Sequence, residues 1–201
     1  MATPAAPPLV DDDTLDDLER ELLGRVRGRV LEIGAGAGEN FGAWHPDVSW
    51  TGLEPDATRR AELATRAREW RHDTPPLDAV AEAIPLPDAS LDVVAGTYVL
   101  CSVTDLAASL AEVRRVLVPG GRVVFVDHVV APPRTLKRAV QRIATPISKR
   151  VSHGCHWDRD PESALADAGF VADEVRRLRV RSMPFGPVPV LLFDGHAPRD
   201  G

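Results

Sequence analysis

The chain is short of the residues that several protein classes require. Its 201 residues include only 2 cysteines, Cys101 and Cys155, which stand far apart. A disulfide scaffold needs a larger set of cysteines, and a zinc site needs ligands paired a few residues apart. No apolar run reaches the roughly 18 residues of a membrane-spanning helix. We therefore expect no disulfide framework, no metal site and no transmembrane segment.

An excess of positive charge is missing as well. The 24 Lys and Arg residues are outnumbered by 30 Asp and Glu residues, which gives a formal net charge of -6. Binding to nucleic-acid phosphates needs a clustered basic surface, so nucleic acid is not an expected partner. The opening MATPAAPPLVDDD also lacks the charged and apolar regions of a secretory signal. These features predict a cytoplasmic protein with a disordered lead over residues 1–12 and one domain over 13–198.

Short apolar segments alternate with helical patterns along most of the chain, which is typical of an α/β protein. Such an order predicts a parallel sheet with helices on both faces and right-handed crossovers. Towards the end, two strand patterns are joined by a Pro/Gly-rich turn and predict an antiparallel hairpin at the sheet edge. The predicted strands are 29–34, 49–54, 77–81, 91–96, 122–130, 170–180 and 188–197; the predicted helices are 11–28, 56–70 with Asp56 as N-cap, 104–117 starting at Thr104, a basic one at 134–151, and one capped by Asp160 that ends at Gly169.

Three glycines follow the first predicted strand in VLEIGAGAGENF, at positions 34, 36 and 38. A strand that runs through such a turn into a helix lets the backbone approach a nucleotide-like ligand, although a tight turn without a ligand gives the same pattern. Glu54 ends the second strand, where a carboxylate can accept hydrogen bonds from a ribose diol. A solvated surface glutamate is the alternative for that residue.

Two acidic residues favour one ligand class over another. A dinucleotide site has a glycine where this chain has Glu39, whose carboxylate would repel a pyrophosphate. S-adenosylmethionine carries no phosphate and bears a sulfonium cation. Glu32, beside the glycine turn, suits the positively charged end of that ligand. The pattern therefore favours a methyl donor, with a nicotinamide-dependent oxidoreductase as the alternative.

The segments VLEIGAGAGENF, GLEPD, AEAIPLPDASLDVVAGTYVLCSV and EVRRVLVPGGRVVFVDHV resemble class I S-adenosylmethionine-dependent methyltransferases of the type 11 group, over roughly residues 28–130. TYVLCSV, DHV, Gly154-Cys155 and the terminal GHA further resemble the methyltransferase-like thiol S-methyltransferases. The resemblance implies a Rossmann-like sandwich with a mostly parallel seven-stranded sheet and a C-terminal antiparallel hairpin. Because the chain lacks the N-terminal hydrophobic anchor of the animal members, membrane association is not carried over.

The resemblance also assigns roles to matching residues. The donor would be S-adenosyl-L-methionine and the product S-adenosyl-L-homocysteine. The implied cofactor-binding residues are Glu32, Gly34, Ala35 and Gly36 at the methionine part and ribose, Glu54 at the ribose, Pro55 beside the adenine, Ala81, Glu82 and Ala83 at the adenine edge, and Thr97 and Tyr98 behind the methionine.

The expected acceptor is a small, apolar molecule, with thiol sulfur favoured over nitrogen, oxygen or carbon. A thiol is mostly protonated at pH 7, so an imidazole that takes its proton is useful. His128, at the end of the fifth strand beside Asp127, is the candidate, and these two residues form the predicted catalytic pair. Cys101, His153, His156 and Trp157 are predicted at the acceptor site, and no metal is expected. A lipid, quinone or natural-product methyltransferase, or a non-catalytic binding module, remains as an alternative, and the oligomeric state is left open.

Overall fold

Seven strands form one sheet in a computed structural model of the chain, which describes residues 6–131, 156, 158–181 and 186–199. The strands lie side by side in the order β1-β6-β7-β5-β4-β2-β3. They are β1 (Leu9–Val10), β2 (Gly28–Ile33), β3 (Val48–Leu53), β4 (Leu91–Thr97), β5 (Leu117–His128), β6 (Val171–Val180) and β7 (Val188–His196).

The sheet is parallel except at β7, which runs antiparallel to both of its neighbours, β5 and β6. The predicted mostly parallel α/β fold with a C-terminal antiparallel hairpin is confirmed. The hairpin is not at the edge, however, because β1 pairs with β6 in parallel, Leu9 opposite Arg179 and Val10 opposite Val180. Residues within the segment predicted as a lead, 1–12, thus contribute a strand to the sheet.

Four helices pack on the sheet in the described part of the chain. Asp56 and Asp160 are N-caps as predicted, each accepting a hydrogen bond from a backbone N–H two or three residues on. The third helix begins at Leu106, two residues later than predicted, since Asp105, and not Thr104, caps it by accepting from Ala108 N at 3.0 Å. The helices are α1 (Asp12–Gly24), α2 (Ala57–Glu69), α3 (Leu106–Val116) and α4 (Pro161–Asp167).

Side chains on the two faces of the sheet form two cores, as the alternation of a strand requires. On one face, Leu22 of α1 and Leu63 of α2 pack against Val30 and Val124. On the other face, Leu110 of α3 and Leu165 of α4 belong to the second core. The sheet is therefore covered on both sides, and the carboxyl ends of β2 to β5 meet at one edge where a ligand can enter.

The predicted strand 77–81 is wrong. Only Leu77 pairs with β3, through Leu77 N to Gly52 O at 2.8 Å and Glu54 N to Leu77 O at 3.1 Å. After this single bridge the chain turns away from the sheet, and Val80 is 45% exposed. The apolar alternation of LDAVA reflects a segment that lies across the strand ends, and β1 supplies the seventh strand instead.

Some predictions fall on residues outside the described ranges, namely the basic helix 134–151, His153, Cys155 and Trp157. Among the helices that the structure describes, none is both long enough and apolar enough to cross a membrane.

Candidate functional site

The glycine turn after β2 leads into further turns and a short 3-10 helix, Phe41–Ala43. Gly34 and Gly36 have φ angles of +63° and +59°, which side chains adopt only with strain. A Cβ on Gly34 would lie 2.6 Å from Val99, and one on Gly36 would lie 2.6 Å from the Glu39 carboxylate. The positive φ at both positions, together with the contact between Gly34 and Val99, therefore favours both glycines without a ligand.

A cleft of about 230 Å³ opens at the carboxyl ends of β2, β3 and β4. It combines the glycine turn, the end of β3, the segment after the Leu77 bridge and the loop after β4. Six predicted cofactor-binding residues line it, which are Gly34, Glu54, Pro55, Ala81, Glu82 and Tyr98. These six residues, which come from four separate segments of the chain, are thus brought together in one place.

Glu54 lies at the centre of this cleft and is 5% exposed. One carboxylate oxygen accepts from Gly36 N at 3.0 Å, and the other accepts from Asp56 N at 2.9 Å. A carboxylate has about four acceptor positions, so each oxygen keeps one for a ligand. This arrangement fixes the side chain and leaves it able to accept two hydrogen bonds from neighbouring hydroxyls.

Glu82 connects the opposite walls of the cleft. Its carboxylate accepts from Thr104 N at 2.6 Å and from Asp105 N at 2.9 Å, directly before α3. Both bonds use the same oxygen, Oε1. The second oxygen therefore stays available to the cleft, while Ala81 beside it is buried and apolar.

Glu32 lies behind the glycine turn and does not line the cleft. It is 2% exposed and accepts from Asn40 Nδ2 and from Trp50 Nε1, both at 2.7 Å. Burial raises the pKa of this carboxyl to about 7, although the two hydrogen bonds oppose the shift. Asn40 Nδ2 also donates to Thr97 Oγ1 at 2.9 Å, so Glu32 reaches the end of β4 through Asn40.

Tyr98 forms the cleft wall immediately after β4. It has a φ angle of +55° and donates its backbone N–H to Val126 O at 2.7 Å. Its ring lies 4.9 Å from the His128 ring, between centroids, and its hydroxyl donates to Glu19 of α1. The predicted catalytic His128 is thus half-buried beside a cleft residue, but it does not line the cleft.

Asp127 is buried under the loop after β4, and Cys101 is buried within that loop. The Asp127 carboxylate accepts from Leu100 N at 3.1 Å and from Cys101 N at 3.0 Å. Burial and the nearby Cys101 thiol raise the pKa of Asp127 well above its ordinary value. Neither residue faces the cleft, so the structure gives Asp127 the role of holding the loop. The catalytic role of Asp127 and the substrate contact of Cys101 stay predictions without geometric support.

The remaining predicted residues do not line the cleft. His156 is half-buried, and its backbone N–H donates to Cys101 O at 2.7 Å. The other such residues are Ala35, Gly36, Ala83 and Thr97.

Arg159 is a residue that sequence reasoning missed. Its guanidinium donates to three carbonyl oxygens of the loop after β4, those of Leu100 at 3.0 Å, Val103 at 2.5 Å and Thr104 at 3.1 Å. This loop carries the cleft residues Val99 and Ser102 to Thr104. An arginine directly before a helix cap gives no sequence signal of such contacts, because its partners lie more than 50 residues away.

Arg59 was also missed, although it lines the cleft. A Cβ on Gly36 would lie 2.9 Å from Arg59 Nη2, so this cation shares the turn with Glu39. Glu39 was predicted to repel a pyrophosphate. With a positive charge beside it, Glu39 does not decide the ligand class.

The cleft fits the predicted donor on its own geometry. Glu54 presents two free acceptor positions, Pro55 and Ala81 provide apolar surface, and the Glu82 carboxylate can accept from an amino group. Among the described residues, no cluster of three or more His, Cys, Asp or Glu side chains is suited to hold a metal ion.

Comparison with known proteins agrees with S-adenosyl-L-methionine as the predicted donor. The family model described as a methyltransferase domain matches residues 31–125. The human protein thiol S-methyltransferase TMT1B is 32% identical over 186 residues, which covers 86% of this chain and 76% of the relative.

Solved structures share the fold. A putative methyltransferase from Bacillus halodurans superposes with a TM-score of 0.74 at 18% identity, covering 92% of this chain and 99% of the other. Geranyl diphosphate C-methyltransferase from Streptomyces coelicolor, solved with S-adenosyl-L-homocysteine, gives a TM-score of 0.72 at 17% identity and covers 92% and 78% of the two chains.

Proposed function

Because the chain belongs to the S-adenosylmethionine-dependent methyltransferases, we propose that it transfers a methyl group to a small, apolar thiol. The observation that carries the donor half is the convergence of Gly34, Glu54, Ala81 and Glu82 on one cleft. The thiol half is supported by the similarity to a protein named as a thiol S-methyltransferase over most of both chains.

The residues of the cleft have separable roles in this proposal. Glu54 binds the ribose hydroxyls with the acceptor positions that Gly36 and Asp56 leave free. Pro55 and Ala81 pack on the adenine, and the free oxygen of Glu82 accepts from its amino group. The Asn40–Glu32 pair lies behind the methionine end, where the deprotonated form of the Glu32 carboxyl favours a cation. When bound, the donor supplies the methyl group on a positively charged sulfonium.

The acceptor approaches from the ends of β4 and β5, beside Tyr98 and His128. Transfer neutralises the thiolate and the sulfonium, so a site that excludes water favours the reaction. The protein then contributes mainly by holding the two sulfur atoms in line with the methyl carbon. A thiol that accepts the methyl group must also lose its proton. Removal of this proton is the one chemical step that requires side chains near Tyr98.

Product analysis tests the proposal directly. The purified chain is incubated with a donor that carries a labelled methyl group and with a panel of alkyl thiols, phenols and amines. We expect label in the thioether product of an apolar thiol. Label only in the phenol or amine products would refute the thiol assignment, and a chain that binds the donor without transferring label would be a binding module.

A pair of glutamate variants tests the donor site. Glu54→Ala should weaken donor binding in calorimetry by at least about 100-fold, as expected for two lost hydrogen bonds to a charged group at about 1.5–3 kcal/mol each. Glu62→Ala removes the same charge from the exposed face of α2 and should leave the affinity unchanged. Equal affinities for the two variants would contradict the site.

A further inference from the structure

Three elements meet beyond the carboxyl ends of β4 and β5. Tyr98 follows β4, His128 ends β5, and Glu19 reaches the same place from α1. The Tyr98 hydroxyl donates to the Glu19 carboxylate, and the Tyr98 and His128 rings lie 4.9 Å apart between centroids. Tyr98 also lines the donor cleft, so its ring and hydroxyl connect that cleft to α1.

Glu19 has a second environment on its other side. A separate cavity of about 260 Å³ between α1 and the glycine turn is lined by Glu19, Arg20, Glu39 and Asn40, among others. Glu19 is half-buried, so it contacts Tyr98 inside the fold and a solvent-connected space outside it. A proton that arrives on this carboxylate therefore has a way to water that does not cross the donor cleft.

We propose that Glu19 accepts the proton released by the acceptor thiol, and that Tyr98 passes the proton to it. This inference rests on the proposed thiol methylation. Glu19 lies on α1, outside every segment that carried the family resemblance, and is not among the predicted site residues. Tyr98 touches the acceptor in this scheme, whereas Glu19 acts through Tyr98.

The proton transfer balances with the methyl transfer. The thiol proton passes to the Tyr98 oxygen as the Tyr98 hydroxyl proton passes to the Glu19 carboxylate, so tyrosine ends as it began. The acceptor sulfur forms its bond to the methyl carbon as the carbon–sulfur bond of the sulfonium breaks, and the electron pair of that bond stays on the donor sulfur. The products are a thioether, S-adenosyl-L-homocysteine and a protonated Glu19.

The surroundings of Tyr98 and Glu19 favour proton transfer from the tyrosine to the glutamate. Burial raises the pKa of Glu19 above its ordinary value, and the nearby Asp16 adds to the shift, whereas Tyr98 and His128 oppose it. A carboxylate with a raised pKa is the stronger base at neutral pH. Burial, with Glu19, Asp127 and Asp16 nearby, also raises the pKa of the Tyr98 hydroxyl, so tyrosine conducts the proton without holding a charge.

The test compares Glu19→Gln with the unmodified chain on two thiols of different acidity. Glutamine still accepts the Tyr98 hydrogen bond but cannot take a proton. Single-turnover rates at saturating donor are measured from pH 6 to 9 with an alkyl thiol and with an aryl thiol that is already ionised at pH 7. We expect Glu19→Gln to lower the alkyl-thiol rate at pH 7 by about 100-fold.

The loss on the alkyl thiol should shrink as pH rises towards the thiol pKa of about 8.5, because a thiolate needs no proton acceptor. The aryl-thiol rate should stay within about threefold of the unmodified chain, since general-base assistance no longer contributes. Tyr98→Phe should show the same pattern. Asp17→Asn removes a charge from the exposed face of α1, where its side chain is 82% exposed, and should leave both rates unchanged.

Two outcomes would overturn the proton route alone. One is an equal loss on both thiols, which would show that Glu19 only supports the fold. The other is the pH signature appearing in His128→Gln while Glu19→Gln behaves as the unmodified chain. If the unmodified chain binds the donor but methylates neither thiol, the proposed function itself fails, and the proton route fails with it.

Discussion

At the scale of single residues, Glu32 places a carboxylate inside the molecule with 2% of its surface exposed. Asn40 and Trp50 each donate to it at 2.7 Å, which favours the charged form, but burial outweighs them and raises the pKa to about 7. The carboxyl therefore takes up a proton close to neutral pH, far above its ordinary value of 4.5.

This shift predicts a pH-dependent contribution to stability. In the unfolded chain Glu32 loses its proton near pH 4.5, whereas the folded chain keeps it up to about pH 7. The folded state binds more protons in that window, so the free energy of unfolding falls as pH rises through it. A difference of this size corresponds to about 3 kcal/mol, at 1.36 kcal/mol per pKa unit.

Glu32→Gln should remove this contribution. Chemical denaturation of the variant and the unmodified chain at pH 5, 6, 7 and 8 measures it. We expect the variant to gain relative stability with rising pH up to about pH 7, by up to about 3 kcal/mol. Parallel curves for the two chains would show that Glu32 does not titrate in this range. Glu69→Gln, on the exposed end of α2, is the matched control and should give a parallel curve.

At the scale of elements, the loop between β4 and α3 is held from three sides. The Asp127 carboxylate accepts from the loop N–H groups of Leu100 and Cys101. The Glu82 carboxylate accepts from the loop N–H groups of Thr104 and Asp105. The Arg159 guanidinium donates to three carbonyl oxygens of the same loop. Backbone groups that would otherwise need water are thereby satisfied. The loop can then present a fixed wall to the cleft.

Arg159→Gln should loosen that wall. Loss of charged hydrogen bonds to the carbonyls is expected to lower the free energy of unfolding by about 2–3 kcal/mol. Donor affinity should fall roughly tenfold, equivalent to about 1.4 kcal/mol, because the loop must be ordered on binding. Denaturation and calorimetry measure the two effects.

Arg177→Gln is the control for this prediction. Arg177 lies on β6 with its side chain 55% exposed and pairs with Glu162 at the surface, where an ion pair contributes about 0–1 kcal/mol. Its loss should leave donor affinity unchanged. If Arg159→Gln binds the donor as tightly as Arg177→Gln does, the loop contacts do not support the cleft.

At the scale of the whole molecule, donor binding should stabilise the fold as one cooperative unit. A ligand at 100 times its dissociation constant adds about 2.7 kcal/mol to the folded state. For a domain of this size, that raises the melting temperature by roughly 5–10 °C. Thermal unfolding with S-adenosyl-L-methionine or S-adenosyl-L-homocysteine should show the shift, and NAD at equal concentration should not. A shift with NAD alone would contradict the donor assignment.

The amino-acid sequence by itself determined the elements that local patterns encode. Aspartates at 56 and 160 specify helix starts, Gly169 has a φ of +87° at the end of α4, and alternating apolar residues specify the strands of both cores. The glycine turn and Glu54 could also be placed in one site, since parallel strands put their carboxyl ends at one edge. These features depend on residues close together in the chain.

Only the tertiary structure decided which contacts form between segments that are far apart in the chain. The strand Leu9–Val10 is too short to show a hydrophobic pattern, and it forms because β6 offers an unpaired edge. The segment LDAVA does not form a strand, because only Leu77 pairs with β3. Packing likewise buried Asp127 and Cys101 away from the cleft, brought Glu19 to the Tyr98 hydroxyl and brought Arg159 to the loop after β4. Contacts across 50 to 80 residues arise from the packed sheet, and no local periodicity records them.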